Sequence, residues 1–173
     1  MTLGEALTGK EVPNEIKKNL TLISVGFFSF DGEVREGELV IHTDLAEDLR
    51  QIFKTLLEMR FPIQQITPIA AYAWDDDASM AENNTSAFNY RYYDSLASGT
   101  HRLSNHSYGR AIDINPFHNP QEREGVITPA GAFYDPTKPG TVTSEIASLF
   151  KSFGWEWGGD WKQLKDWQHF EKS

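Results

Sequence analysis

Two short stretches hold the side chains best placed to do chemistry: SNHSYGRAIDIN, residues 104–115, and DWQHFE, residues 166–171. Together they offer two histidines and two aspartates in a chain that has no cysteine. Neutral imidazole and carboxylate are ordinary zinc ligands, and a catalytic zinc takes three protein ligands and keeps its fourth position for water. His106, Asp113 and His169 supply such a set, as two halves of one site. A carboxylate beside the ion, but not bound to it, can take a proton from an attacking water and return it to a leaving amine. Asp166 is the candidate for that role, with Glu171 next in line. The chemistry this implies is metal-assisted hydrolysis of a peptide bond, although spacing alone does not decide it.

Such a site needs elements that bring its halves together. In AIDIN, side chains alternate, so Ala111, Asp113 and Asn115 share one face of a strand while Ile112 and Ile114 pack behind. Gly109 allows a tight turn between His106 and that strand. Asp166 and His169 are three apart, which suits one face of a helical turn or a turn running into a strand; in one continuous strand they would face opposite ways. Asp166 is therefore expected at the end of a turn. Upstream, LTLISVGFFSF and EVREGELVIH read as two strands about an Asp31-Gly32 hairpin. Leu45, Leu49, Ile52, Phe53, Leu56 and Leu57 form one apolar stripe of a helix over residues 43–59, with Thr43 or Asp44 as cap and Pro62 beyond its end. IQQITPIAAYAW reads as a strand leading toward the site. The polar stretch after it is too long for a simple turn and is expected to line something. Its acid run, residues 75–77, reads as a solvated loop. The stretch after Asn115 is punctuated by Pro and Gly and reads as an extended loop or lid. A second helix is expected over residues 143–153, capped by Thr143 and ended by Gly154. Trp155, Trp157 and Trp161 follow it, and such rings more often form a core or pocket wall than a sugar platform.

SNHSYGRAID resembles the S-x-H-x-x-G-x-A-x-D signature of the zinc D,D-carboxypeptidase and L-alanyl-D-glutamate peptidase family, which acts on bacterial cell-wall peptides and includes phage endolysins. WGGDWKQLKDWQHFE resembles its second signature, W-G-G-x-W followed by D-x-x-H-F, so the likeness covers roughly residues 70–171. It implies that His106, Asp113 and His169 bind Zn2+ and that Asp166 is the general base. Aspartate rather than glutamate at the base position puts the chain nearer the endolysin-like branch than the vancomycin-resistance branch. The family carries an arginine before its first zinc histidine, where it holds a substrate carboxylate or the developing oxyanion, and Arg91 is the matching candidate. Ser104, Tyr134 and Trp157 are candidate substrate contacts. The substrate implied is a peptidoglycan stem peptide, cut as a D-alanyl-D-alanine carboxypeptidase or an L-alanyl-D-glutamate endopeptidase would cut it. The implied fold is α+β, a small antiparallel sheet carrying the site and flanked by helices, as in the hedgehog and DD-peptidase group. Because the hedgehog signalling domain shares that fold, a catalytically silent metal-binding recognition module is the alternative. A zinc that only staples the fold would need a fourth protein ligand, and His118 is the residue near enough in sequence to provide it. His42 and His101 read as ordinary histidines.

Length and charge set the remaining bounds. With 173 residues the chain suits one domain, residues 1–173, with a weakly patterned extension over 1–19 that holds at most a short helix near residues 14–19, and a peptidase core over 70–171. A formal charge of −9 argues against a nucleic-acid backbone as partner, since that contact needs basic patches. No apolar run approaches the roughly 20 residues of a membrane span. A monomer is expected. The first 20 residues lack the basic-then-apolar pattern of a signal peptide, so an extracytoplasmic location requires another export route, a leader absent from this sequence, or delivery by phage.

Overall fold

The computed structural model describes residues 1–95 and 100–173, with the backbone alone for residues 94, 95, 100 and 101. The side chain of His101 thus lies outside the described residues. Two short helices lead in, α1 (Leu3–Ala6) and α2 (Asn14–Lys17). The first is closed by a capping box, in which Thr2 Oγ1 accepts from Glu5 N at 3.2 Å and Glu5 Oε2 accepts from Thr2 N at 2.6 Å. Ala6 and Leu7 are buried in a cluster with Leu20, Val40 and Phe88, so residues expected to trail as an extension instead pack on the body of the protein.

That packing surface is one face of a long hairpin, β1 (Leu20–Phe28) and β2 (Val34–His42), in register from Leu20 opposite His42 to Phe28 opposite Val34. The period of two sends Leu20, Leu22 and Val40 outward to the N-terminal segment and Ile23, Val25, Phe27, Leu39 and Ile41 into the main core. Gly32 takes φ 90° in the connecting turn, as the Asp-Gly pair predicts. A 3-10 turn (Thr43–Leu45) then feeds α3 (Ala46–Glu58), which buries Leu49, Ile52, Phe53 and Leu56. Neither expected cap serves it: His42 Nδ1 accepts from Asp44 N at 3.2 Å, and Thr43 Oγ1 donates to Asn19 O at 2.9 Å.

The strand expected over residues 63–74 is reduced to β3 (Gln65–Ile66), and Pro68, which has no N–H to give a ladder, begins a 3-10 turn (Ile69–Tyr72) that ends with Ala73 and Trp74 at positive φ. Asp75 Oδ1 accepts from Ala78 N at 3.0 Å and caps α4 (Asp76–Ala81), so the acid run is a helix start and not a free loop. Next come β4 (Asn84–Thr85), parallel to β3, and the hairpin β5 (Tyr92–Ser95) with β6 (Thr100–Leu103).

The remaining strands carry the site. β7 (Ala111–Asp113) is shorter than AIDIN suggests, because Asn115 turns to φ 44° and anchors two other segments: its Oδ1 accepts from Gln64 N, and its Nδ2 donates to Pro62 O and Gly140 O. The stretch expected as an open loop or lid contains a hairpin, β8 (Gln121–Arg123) and β9 (Val126–Thr128). After α5 (Ser144–Ser152) come β10 (Glu156–Trp157), β11 (Lys165–Asp166) and β12 (His169–Glu171). They complete two small antiparallel sheets, ordered β10-β12-β7 and β11-β8-β9. Behind the first, Phe170 stacks on Phe150 at 3.8 Å, and both are fully buried with Trp155 and Ile112. The result is the expected α+β arrangement of helices around small antiparallel sheets.

Candidate metal centre

Ser104 starts the site. Its Oγ accepts from His106 N at 3.3 Å and opens a 3-10 turn (Asn105–Tyr108) that carries His106. Gly109 ends the turn at φ 65°, where a Cβ would also sit 2.6 Å from His42 N, so both conformation and space require glycine. The chain then runs directly into β7, as the sequence predicts. The second half arrives by strand pairing: β12 lies antiparallel to β7 with His169 directly opposite Asp113. Residues more than fifty positions apart thus meet as cross-strand neighbours.

All three side chains are buried and aim one atom inward. His106 Nε2 lies 3.2 Å from Asp113 Oδ2 and 3.2 Å from His169 Nδ1, and His169 Nδ1 lies 3.0 Å from Asp113 Oδ1. The outward ring nitrogens are occupied. His106 Nδ1–H donates to Ala87 O at 2.5 Å, which leaves its Nε2 lone pair facing the centre. His169 Nε2–H donates to Glu171 Oε2 at 2.9 Å, and Glu171 also accepts from Asn105 Nδ2 at 2.8 Å. A second partner on the far nitrogen is how metal-binding imidazoles are oriented. The inward separations approach the roughly 3.3 Å between neighbouring ligands of a tetrahedral zinc with bonds of about 2.0–2.1 Å. By donor type, number and spacing, the residues fit a divalent ion of the zinc class.

Charge agrees with this arrangement. Burial pushes the Asp113 carboxyl upward, but His106 and His169 outweigh it and hold the group well below the ordinary carboxylate range. Burial opposes a charge on His169, yet its hydrogen bonds to Asp113 and Glu171 push it up to about 10. Glu171 is held low, chiefly by the hydrogen bond from His169. Asp166 moves the other way: burial raises it, the charge of Asp113 adds to the rise, and His169 opposes it.

Asp166 ends β11, in a different sheet from His169, and a bend at Trp167 and Gln168 separates the two. The expectation that they do not share one continuous strand therefore holds, although Asp166 closes a short strand and not a turn. Its Oδ2 accepts from Gln121 Nε2 at 2.7 Å, while Oδ1 is buried with no partner among the described residues.

A cleft of about 1030 Å³ opens on His106, Asp113, Asp166 and His169. Arg91 also lines it and pairs with Asp76, whose carboxylate accepts from Asn89 Nδ2 at 3.0 Å as well. This helix-start aspartate and this arginine come from the polar stretch expected to line something. Ser104 and Trp161 face the cleft too. Tyr134 and Trp157 are not in its lining. The Tyr134 hydroxyl donates to Val142 O at 2.8 Å and its ring stacks on Trp167 at 3.9 Å, whereas Trp157 is a core residue whose Nε1 donates to Trp167 O at 3.0 Å. His118 stacks on Phe30 at 4.9 Å and meets Asn83 Nδ2 through its Nδ1, so it supplies no fourth ligand. Sequence reasoning did not find Gln121, Asn105 or Asp76. Each acts through a neighbour distant in sequence, and no local pattern announces such a contact.

The family profile described as D-alanyl-D-alanine carboxypeptidase matches residues 98–172. The peptidoglycan L-alanyl-D-glutamate endopeptidase CwlK of Bacillus subtilis (strain 168) is 39% identical over 69 residues, which is 39% of this chain and 38% of that relative. The part of the chain that holds the His106–Asp113–His169 group is similar to the peptidoglycan peptidases that its two signatures resemble. The match thus spans well under half of this relative's length. No solved structure is matched. Among the described residues, no helix is long and apolar enough to cross a membrane.

Proposed function

We propose that the protein is a zinc-dependent peptidase of peptidoglycan stem peptides, working outside the cytoplasm where that polymer lies. The observation that carries the reading is the pairing, in one cleft, of a three-donor group with a buried carboxylate that has one oxygen unpartnered among the described residues. His106, Asp113 and His169 would hold the zinc ion, which would supply Lewis acidity to the scissile carbonyl and acidity to an attacking water. Asp166 accepts the proton of that water as its oxygen adds to the carbonyl carbon. It returns the proton to the departing amine nitrogen as the C–N bond breaks, leaving an amine and a carboxylic acid that gives its remaining proton to solvent. Arg91, a cation at the cleft held by Asp76, takes a substrate carboxylate or the developing oxyanion, and Ser104 contributes by holding the His106 turn. The relative's printed activity favours the L-alanyl-D-glutamate bond over a terminal D-alanine.

Mass spectrometry of defined stem peptides, with zinc supplied and with zinc removed by a chelator, tests this. Zinc-dependent separation of L-alanine from the D-glutamate side is expected. Zinc-dependent loss of terminal D-alanine alone would make it a D,D-carboxypeptidase. Intact peptides with zinc confirmed bound would point to a recognition module of the same fold.

A further inference from the structure

We infer that Gln121 is a positioning residue that commits one oxygen of Asp166, Oδ1, to the proton transfer; this rests on the peptidase reading above. Three contacts fix the carboxylate. Backbone pairing of β11 with β8 places Asp166 directly opposite Gln121. The Gln121 amide donates to Oδ2 at 2.7 Å, occupying one oxygen with a hydrogen bond to a charged acceptor. On the other side Gly158 lies so close that a Cβ there would meet the Asp166 carbonyl oxygen at 2.5 Å and the Asp166 Cβ at 2.8 Å. The Trp-Gly-Gly phrase therefore does structural work for the base, since any larger residue at 158 would displace it.

What these contacts leave is Oδ1, buried and without a partner among the described residues, on a residue that lines the same cleft as His106, Asp113 and His169. A buried acceptor with no donor is costly unless something arrives to use it. The proton of the attacking water is such a donor. It passes to Oδ1 as the water oxygen bonds to the carbonyl carbon, and then to the leaving nitrogen, so the carboxylate ends as it began. Gln121 neither gives nor takes a proton. It stops the carboxylate from rotating and from offering the wrong oxygen.

Gln121→Met keeps the side chain's length and removes its donor. A fall in kcat of roughly 10- to 100-fold is expected, a fraction of the whole contribution of a general base, with KM and zinc affinity unchanged. Gln121→Lys restores a donor able to reach Oδ2 and should recover most of that loss. In the zinc-free protein, the side-chain amide of Gln121 should show a downfield NMR resonance that is lost in Asp166→Ala, a readout independent of turnover. Wild-type kcat in Gln121→Met overturns the inference, as does equal damage from Met and Lys or a fall in zinc affinity that matches the fall in kcat. Retained turnover in Asp166→Ala would instead refute the base assignment itself, and Gln121's role with it. If Asp166→Ala is inactive and Gln121→Met is not, only the inference about Gln121 fails.

Discussion

The two small sheets that meet at the cleft are built differently. In β10-β12-β7, which bears Asp113 and His169 and follows the turn that carries His106, Ile112 and Phe170 are fully buried, and the outward nitrogen of each histidine already has an acceptor. In β11-β8-β9, the hairpin is short, Val126 and Ile127 are exposed, and the carboxylate at its edge keeps one oxygen without a partner among the described residues. The first sheet is saturated and buries what an ion needs. The second leaves an acceptor open where a reaction needs one. On the proposed reading, holding the ion and moving the proton fall to separate elements, and they should fail separately.

The sharpest break comes from the first sheet and the turn that leads into it. His106→Ala or Asp113→Ala should abolish zinc binding and lower cleavage roughly 10³-fold or more, since the ion's share of transition-state stabilisation is several kcal/mol. Atomic emission on the purified variants reads the metal, and peptide assays read the turnover. On the second sheet, Asp166→Ala should keep its zinc and lose roughly 10²- to 10⁴-fold in kcat. If that variant also loses its ion, the two roles are not separable.

Smaller effects sharpen the contrast within the first sheet. Glu171→Ala removes the acceptor on His169 Nε2 and should weaken zinc binding roughly 10- to 100-fold, measured by competition with a chelator. The smallest is a dependence on pH. In the metal-free protein His169 is pushed up to about 10, so it holds a proton at neutral pH that zinc must expel. Affinity should therefore rise about tenfold per pH unit below that value, with about one proton released per ion. The same shift stabilises the metal-free fold fully below the ordinary histidine range and loses that contribution as pH rises through about 10. Calorimetry in buffers of different ionisation enthalpy counts the proton.

How far the sequence could be read follows the same division. The grouping of His106, Asp113 and His169 was legible because their residue types are restrictive and Gly109 marks the turn between the first two. The hairpin and the two long helices were legible from periodicity, which burial enforces. The short strands were not. Nothing local says that Gln121 pairs with Asp166, or that a Pro- and Gly-rich stretch holds a hairpin, because two- and three-residue strands are stabilised by partners far along the chain. Nor does composition reveal that the polar N-terminal residues bury Ala6 and Leu7 against β1 and β2. Tyr134 and Trp157 show the converse, aromatic side chains suited to a substrate whose hydroxyl or indole N–H is spent on a backbone carbonyl.

The central claim, that the His106–Asp113–His169 group holds the ion on which cleavage depends, is tested most directly by titrating zinc into chelator-stripped protein while following cleavage of a stem peptide. The rate should rise in proportion to bound zinc and level off at one ion per chain. Cleavage that proceeds at full rate without the ion, or none when one ion per chain is bound, would contradict it.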